Sequence, residues 1–167
     1  MKNDIILKQN NNIVEIILNR PNKLNALTFE MLKRISEIGE NLKKDKKLKL
    51  VIIKGSNNVF SSGIDINQFH DLKKDLNLID NLFEKETPFS YNMLQKSCLI
   101  WKTLNVPVIS LLEGPVYGAG LQLALGTDIR IASVNAKFSI MEIKWGLIPD
   151  MGISQLIPNL LTYDRAL

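Results

Sequence analysis

Two short apolar runs of the 167-residue chain are each followed by a glycine-containing turn. The first run, LVIIKG (50–55), leads through a loop to FSSGID (60–65), and the second, PVISLLEG (107–114), leads into GPVYGAGLQL (114–123). Runs this short and this rich in Val, Ile and Leu are typical of buried strands. Each turn lies where a strand gives way to a helix, and open α/β sheets bind ligands beyond the carboxyl ends of their strands. The two turns are therefore the first candidates for a functional site.

The remaining segments alternate between strand and helix patterns. DIILKQ (4–9) and IVEIILN (13–19) flank an Asn-rich turn and predict a β-hairpin. Thr28 is placed to cap a helix with apolar residues at helical spacing, and a second amphipathic helix is predicted over 90–104. Further short strands are predicted at 129–133 and 137–140. This alternation predicts an α/β domain with largely parallel central strands, and the length fits one domain.

Composition and charge argue against several classes of function. The net charge of +4 is small and dispersed, and the densest basic cluster, KKDKKLK (43–49), contains no aromatic residue for base stacking. A single cysteine, Cys98, and a single histidine, His70, form neither a disulfide nor a metal cluster. No segment approaches the roughly 18 apolar residues of a membrane span. We therefore expect a cytoplasmic protein that binds no metal, membrane or nucleic acid.

The glycine turns suggest a specific chemistry. Two such turns could aim two peptide N–H groups at one oxygen atom and so form an oxyanion hole. Tight packing is the alternative explanation for glycine-rich turns. A nucleotide P-loop is disfavoured because GPVYGAGLQL has no Lys-Ser/Thr after its last glycine.

Two acids lie eight residues apart in the apolar and aromatic stretch AKFSIMEIKWGLIPDMG (136–152). They are Glu142 and Asp150. An acid surrounded by Ile, Met, Trp and Pro is expected to be partly desolvated, which suits a group that transfers protons near neutral pH. Composition alone leaves open that both are surface acids on a loop.

Four ordered motifs together resemble the crotonase superfamily, also called the enoyl-CoA hydratase/isomerase family. They are LNRPNKLNALT, FSSGIDI, PVISLLEGPVYGAGLQLALGTDIRIAS and FSIMEIKWGLIPDMG, and the resemblance runs from about residue 4 to residue 167. It implies a ββα spiral fold, a coenzyme A thioester as substrate with no separate cofactor, and assembly as a homotrimer or hexamer. It also implies one crotonase-like core domain over 1–167 without the family's C-terminal helical region, so the chain is expected to be a short form or a fragment.

The same resemblance assigns roles to individual residues. The N–H groups of Ile64 and Ala119 would form the oxyanion hole. Glu142 would be the principal base and acid, and Asp150 a second proton carrier. The residues implied to contact the substrate or its coenzyme A are Lys23, Leu24, Ala26, Ser62, Gly63, Asp65, Ile66, Tyr117 and Gly118.

Gln122 departs from the hydratase pattern. It stands where hydratases of the family carry a second glutamate, and an amide cannot take up a proton at neutral pH. We therefore expect Gln122 to orient water or substrate, and an enoyl-CoA isomerase is favoured over an enoyl-CoA hydratase. A non-catalytic protein that binds coenzyme A or acts as a scaffold is the alternative from another class.

Overall fold

The structure of the chain, a computed structural model, describes residues 4–68, 80, 82–85, 87 and 90–166. The strands are β1 (Ile5–Asn10), β2 (Ile13–Leu18), β3 (Leu50–Gly55), β4 (Val108–Leu112), β5 (Pro115–Tyr117), β6 (Ile129–Ala132) and β7 (Lys137–Ser139). The α-helices are α1 (Phe29–Lys43), α2 (Met93–Leu99), α3 (Ala119–Leu125), α4 (Ile153–Leu156) and α5 (Tyr163–Ala166). Short 3₁₀ turns span Pro21–Lys23, Ile100–Thr103, Glu142–Trp145 and Ile157–Asn159.

Five of the described strands form one sheet in the order β1-β2-β3-β4-β6. β1 and β2 pair antiparallel, as the predicted hairpin requires, whereas β2, β3, β4 and β6 pair in parallel. The predicted α/β class with parallel central strands is therefore confirmed. β5 and β7 form a separate parallel pair. The sequence did not predict β5, because a strand of three residues inside a glycine-rich turn shows no periodicity of its own.

Helix α1 begins where the sequence predicts. The hydroxyl of Thr28 accepts a hydrogen bond from the N–H of Met31 at 3.1 Å, which satisfies one of the free donors of the first turn. The second predicted helix is real but divided, with α2 ending at Leu99 and a 3₁₀ turn continuing to Thr103. Asn92 and Gln95 form a capping box at its start.

The hydrophobic core lies between one face of the large sheet and the helices. Alternate residues of the central strands point into it, among them Val14, Ile16, Leu18, Val51, Ile53, Val108 and Leu112. Trp101 is fully buried there, and its indole N–H donates to the carbonyl of Ser97 at 3.0 Å. Among the residues that the structure describes, no helix is long and apolar enough to cross a membrane.

This topology brings the two glycine turns together. β3 and β4 are parallel neighbours in the sheet, so their carboxyl ends lie at the same edge. The segment after β3 and the segment after β4 therefore leave the sheet side by side.

Candidate active site

Hydrogen bonds join the two glycine turns directly. The N–H of Ser61 donates to the carbonyl of Pro115 at 2.9 Å, and the N–H of Tyr117 donates to the carbonyl of Ser61 at 3.0 Å. A Cβ added to Gly63 would lie 3.1 Å from the Tyr117 carbonyl oxygen and 3.9 Å from the Ala119 nitrogen. Glycine at position 63 thus allows the first turn to pass against the start of α3.

Two backbone N–H groups at this junction are free to bind a ligand. In the described part of the chain, neither Ile64 N–H nor Ala119 N–H has a hydrogen-bond acceptor. The bridge to Leu27 uses the groups on either side of Ile64, with Leu27 N–H donating to Gly63 and Asp65 N–H donating to Leu27, both at 2.8 Å. Ala119 is the first residue of α3, where no preceding turn supplies a carbonyl. Two such donors on one wall can stabilise an oxygen anion.

Both N–H groups belong to residues that line an open cavity of about 590 Å³. The predicted site residues that line this cavity are Lys23, Ala26, Ser62, Gly63, Ile64, Asp65, Ile66, Tyr117, Gly118, Ala119 and Glu142. Three predicted residues, Leu24, Gln122 and Asp150, are not among those that line it. His70 lies outside the described residues.

Four further lining residues were not predicted from the sequence. They are Asn67, Met141, Trp145 and Leu147. Trp145 and Leu147 follow Glu142 in the segment IKWGL, and their side chains remain 54% and 40% exposed. From the sequence, the closeness of Trp145 and Leu147 to Glu142 was the signal that could have placed them at the cavity. They supply an apolar wall next to the carboxylate.

Glu142 opens the 3₁₀ turn after β7 and places its carboxylate over the start of α3. A Cβ on Gly118 would lie 3.6 Å from Oε1 and 3.8 Å from Oε2 of Glu142. The N–H of Gly118 also donates to Ser139 at 3.0 Å, which ties this turn to β7. Oε1 accepts a hydrogen bond at 2.8 Å, whereas Oε2 is buried without a partner among the described residues. A buried carboxylate oxygen without a partner beside a cavity is suited to accepting a proton.

Gln122 lies behind Glu142 rather than on the cavity wall. Its side chain is buried, with 1% exposed. Its Nε2 donates to Glu142 Oε1 at 2.8 Å, and its Oε1 accepts from the N–H groups of Met151 at 3.0 Å and Ile153 at 3.3 Å. The structure therefore connects the amide to an acid and to the start of α4.

Asp150 and Glu142 both lie within electrostatic reach of Cys98. Burial raises the pKa of the Cys98 thiol to about 12, and the carboxylates of Asp150 and Glu142 contribute in the same direction, against a hydrogen bond from Ser97. Desolvation also raises the pKa of Asp150 above its ordinary value. The structure thus brings the two acids to the same region, although only Glu142 lines the cavity.

An ion pair that was not predicted holds the first turn in place. Arg20 Nη2 donates to Asp65 Oδ2 at 2.8 Å, and Arg20 Nη1 donates to the carbonyl of Ala26 at 2.6 Å. Burial alone would raise the pKa of Asp65, but the hydrogen bonds from Arg20 and the Asn67 N–H outweigh it, so this pKa is lowered. Asp65 was predicted to contact the substrate, and it lines the cavity with its carboxylate paired to Arg20. The sequence carried no signal for this pair, because Arg20 and Asp65 are 45 residues apart.

Comparison with known proteins assigns the family. The profile of the family described as enoyl-CoA hydratase/isomerase matches residues 8–166. The chain belongs to this family. Within it, the chain is 33% identical over 156 residues to "Probable enoyl-CoA hydratase echA12" of Mycobacterium bovis, aligning 92% of this chain with 53% of that protein. It is also 30% identical over 164 residues to 3-hydroxyisobutyryl-CoA hydrolase 1 of Arabidopsis thaliana, aligning 95% of this chain with 40% of that protein.

Solved structures of the enoyl-CoA hydratase/isomerase family have the same fold. A Thermobifida fusca YX protein, described as an enoyl-CoA hydratase and solved in complex with acetoacetyl-CoA, superposes with a TM-score of 0.78 at 26% identity. The match covers 98% of this chain and 64% of that one. The crotonase-type fold implied by the resemblance is thus confirmed. The chain spans about half the length of the first curated relative that it matches.

Proposed function

We propose that the protein binds an acyl-CoA thioester and moves a carbon–carbon double bond along its acyl chain. In this proposal the thioester oxygen accepts hydrogen bonds from the N–H groups of Ile64 and Ala119. Glu142 removes a proton from one carbon of the acyl group and returns it to another, so that no atom is gained or lost. The family membership and the two free N–H groups support this reaction class.

The free N–H groups are needed because a thioester α-proton is only weakly acidic. Its removal leaves an enolate whose negative charge is concentrated on the thioester oxygen. Donors already held in position stabilise that charge, and loss of one such donor typically lowers kcat by about 10²–10³-fold. Once the enolate is stabilised, one carboxylate is enough to carry the proton.

Binding of coenzyme A is supported by the relatives and by the cavity. The Thermobifida fusca protein was solved with acetoacetyl-CoA, and the two curated relatives are named for reactions of CoA thioesters. Lys23 is one of the residues that line the cavity, where its ammonium group could meet a phosphate.

Isomerisation is favoured over hydration because, of the two carboxylates among the described residues that line the cavity, one is available for proton transfer. Oε2 of Glu142 has no partner in the described part of the chain, whereas the carboxylate of Asp65 is paired with Arg20 at 2.8 Å. The residue hydrogen-bonded to Glu142 is Gln122, which cannot ionise. One acid can shuttle a proton between two carbons, but the described residues that line the cavity offer no second unpaired acid for activating water. This arrangement is the observation that carries the proposal.

The test is incubation with trans-3-enoyl-CoA and, separately, trans-2-enoyl-CoA in ¹⁸O-water, followed by mass spectrometry. Conversion of the 3-enoyl substrate without ¹⁸O uptake is the expected result. Incorporation of ¹⁸O into the 2-enoyl substrate would instead support hydration. Hydration is the second candidate because the Mycobacterium bovis relative carries a hydratase name.

A non-catalytic role would give a different outcome. Neither substrate would then be converted, while coenzyme A would still bind in isothermal titration calorimetry. Failure of both turnover and binding would overturn the acyl-CoA proposal itself.

A further inference from the structure

Every polar atom of the Gln122 amide is used inside the protein. Nε2 donates to Oε1 of Glu142 at 2.8 Å, and Oε1 accepts from two backbone N–H groups, those of Met151 and Ile153. The orientation of the amide follows from these partners, since a reversed amide would set its NH₂ group against two N–H donors. The side chain is 1% exposed. Gln122 is therefore placed to act on another residue.

An amide suits this place better than a carboxylate. One end must accept from backbone N–H groups while the other end donates to an anion, and an ionised carboxylate can only accept. Two carboxylates at this distance cannot both ionise without strong repulsion. Glutamine at position 122 can thus donate to Glu142 without placing a second carboxyl group beside it.

We propose that Gln122 is a positioning residue that occupies Oε1 of Glu142 and so leaves Oε2 as the oxygen that exchanges a proton with the substrate. The inference rests on the proposed function, in which Glu142 carries the proton. Its basis is the asymmetry of the carboxylate: Oε1 is hydrogen-bonded to Gln122, whereas Oε2 is buried without a partner among the described residues. The hydrogen bonds from Met151 and Ile153 anchor the amide, and the amide in turn holds Oε1 of the carboxylate.

Other titratable groups lie around the pair. Cys98 of α2 and Asp150 share its electrostatic environment. Of the other residues that line the cavity, Asp65 is paired with Arg20, and Lys23 is a second charged group. These groups are present in both the wild-type protein and the variants at position 122. A difference between their pH profiles therefore comes from the residue at position 122.

The first variant removes the amide without adding charge. Gln122→Met keeps a similar volume but donates nothing to Glu142. We expect kcat for the 3-enoyl substrate to fall by about 10²-fold with KM nearly unchanged, because a misplaced catalytic group lowers the rate after binding. Ser110→Ala is the matched control, since Ser110 is fully buried and hydrogen-bonded to Thr127 at 3.0 Å, away from the cavity. It should lower the thermal midpoint and leave kcat unchanged.

The second variant tests the charge state of the pair. In Gln122→Glu, the new carboxyl can donate to Glu142 only while it holds a proton. The pair should therefore share one proton, and kcat should acquire an alkaline limb that is not expected with Gln122, since an amide cannot ionise. Because the shared proton is held more tightly in the folded state, the variant should also lose thermal stability relative to wild type as pH rises.

The outcomes separate this inference from the proposed function. Wild-type kcat in Gln122→Met, or a Gln122→Glu profile with no alkaline limb, would overturn the positioning role even if isomerisation is observed. If the wild-type protein converts no enoyl-CoA, the proposed function fails and the positioning role fails with it. ¹³C NMR of the side-chain carboxyl groups then tests the hydrogen-bonded pair alone: a coupled two-step titration in Gln122→Glu would support the pair, and two independent single steps would overturn it.

Discussion

Glu142 and Asp65 are both acids at the same cavity, and their partners give them different roles. Asp65 is bound by the Arg20 guanidinium and by a backbone N–H, so its charge is already neutralised and its position is structural. Glu142 has one oxygen held by a neutral amide and one oxygen without a partner in the part of the chain that the structure describes. At the scale of single residues, the hydrogen-bond partner decides which acid can exchange a proton.

Replacement of the proton carrier should abolish turnover without unfolding the protein. Glu142→Gln keeps the shape of the side chain but removes its basic oxygen. We expect kcat to fall by about 10²–10⁴-fold, the usual contribution of a general acid–base group, with coenzyme A binding retained. Steady-state kinetics and calorimetry measure the two effects. Glu30→Gln, an exposed acid of α1, is the control, and undiminished kcat in Glu142→Gln would contradict the role.

The Arg20–Asp65 pair should make stability depend on pH. The pKa of Asp65 is lowered in the folded state, so its stabilising contribution is present above the ordinary value of 3.8 and disappears as pH falls through the lower, folded value. Asp65→Asn should therefore cost about 1–3 kcal/mol of unfolding free energy near neutral pH and progressively less below about pH 4.

The matched control for this pair is Asp45→Asn. Asp45 Oδ1 also accepts the N–H two residues later, that of Lys47, at 2.8 Å, and no ion pair to Asp45 is found among the described residues. Urea denaturation of both variants between pH 3 and pH 7 separates the ion pair from the backbone contact. Equal losses in the two variants at every pH would show that Arg20 contributes nothing.

The site belongs to no single element. The turn after β3 provides Ile64, the turn after β4 leads to Ala119, and the 3₁₀ turn after β7 provides Glu142. The small sheet of β5 and β7 brings the last two together, since Tyr117 pairs with Ser139 in its register. At the scale of elements, helix α3 is the common support, and it packs against α2 on its far side.

The contact between α3 and α2 should therefore leave no room for an added side chain. A Cβ on Gly126 would lie only 1.9 Å from the carbonyl oxygen of Cys98. We expect Gly126→Ala to destabilise the protein by about 3 kcal/mol or more, because the clash is with backbone that cannot move freely. Gly146→Ala is the control, because a Cβ added to Gly146 would meet no atom within 4 Å. The φ of +67° at Gly146 disfavours alanine, so we expect this variant to lose about 1 kcal/mol of unfolding free energy. Thermal denaturation compares the stability of the two variants. Equal losses of stability in Gly126→Ala and Gly146→Ala would contradict the packing argument.

At the scale of the whole molecule, many large apolar side chains are exposed. Several lie on β6, β7 and the segment after them, among them Ile129 (47%), Ile131 (54%), Phe138 (51%), Ile143 (81%) and Ile148 (80%). β6 is also the last strand in the order of the large sheet. Exposed apolar surface of this kind commonly marks an interface between proteins.

The homotrimer or hexamer implied by the family resemblance remains a prediction. Sedimentation velocity over a range of concentrations should show association, and Ile131→Glu should weaken it by placing a charge on the exposed apolar surface. Leu7→Glu is the control, because Leu7 is 45% exposed on β1 at the other end of the sheet. A monomer at every concentration, or equal effects of both variants, would contradict the prediction.

Much of the fold was predictable because it depends on neighbours in sequence. The hairpin follows from two apolar runs around an Asn-rich turn, and α1 follows from the Thr28 cap and its apolar spacing. The two N–H donors were predicted from the glycine turns and the resemblance, and the structure leaves both without an acceptor among the described residues. Gln122 was predicted to orient water or substrate, and its burial behind Glu142 could not be read from its sequence position.

Local pattern was enough to specify most of the elements and their order, and the family resemblance named residues from which a site could be built. Only the tertiary structure decided which of those residues meet. The Arg20–Asp65 pair joins positions 45 residues apart, and the Gln122 contacts to Glu142 and Met151 span 20 and 29 residues. Such contacts depend on how parallel strands and their connecting turns are stacked, and no sequence period records that stacking. The partner of each polar side chain, and hence its role, is for this reason a property of the folded molecule.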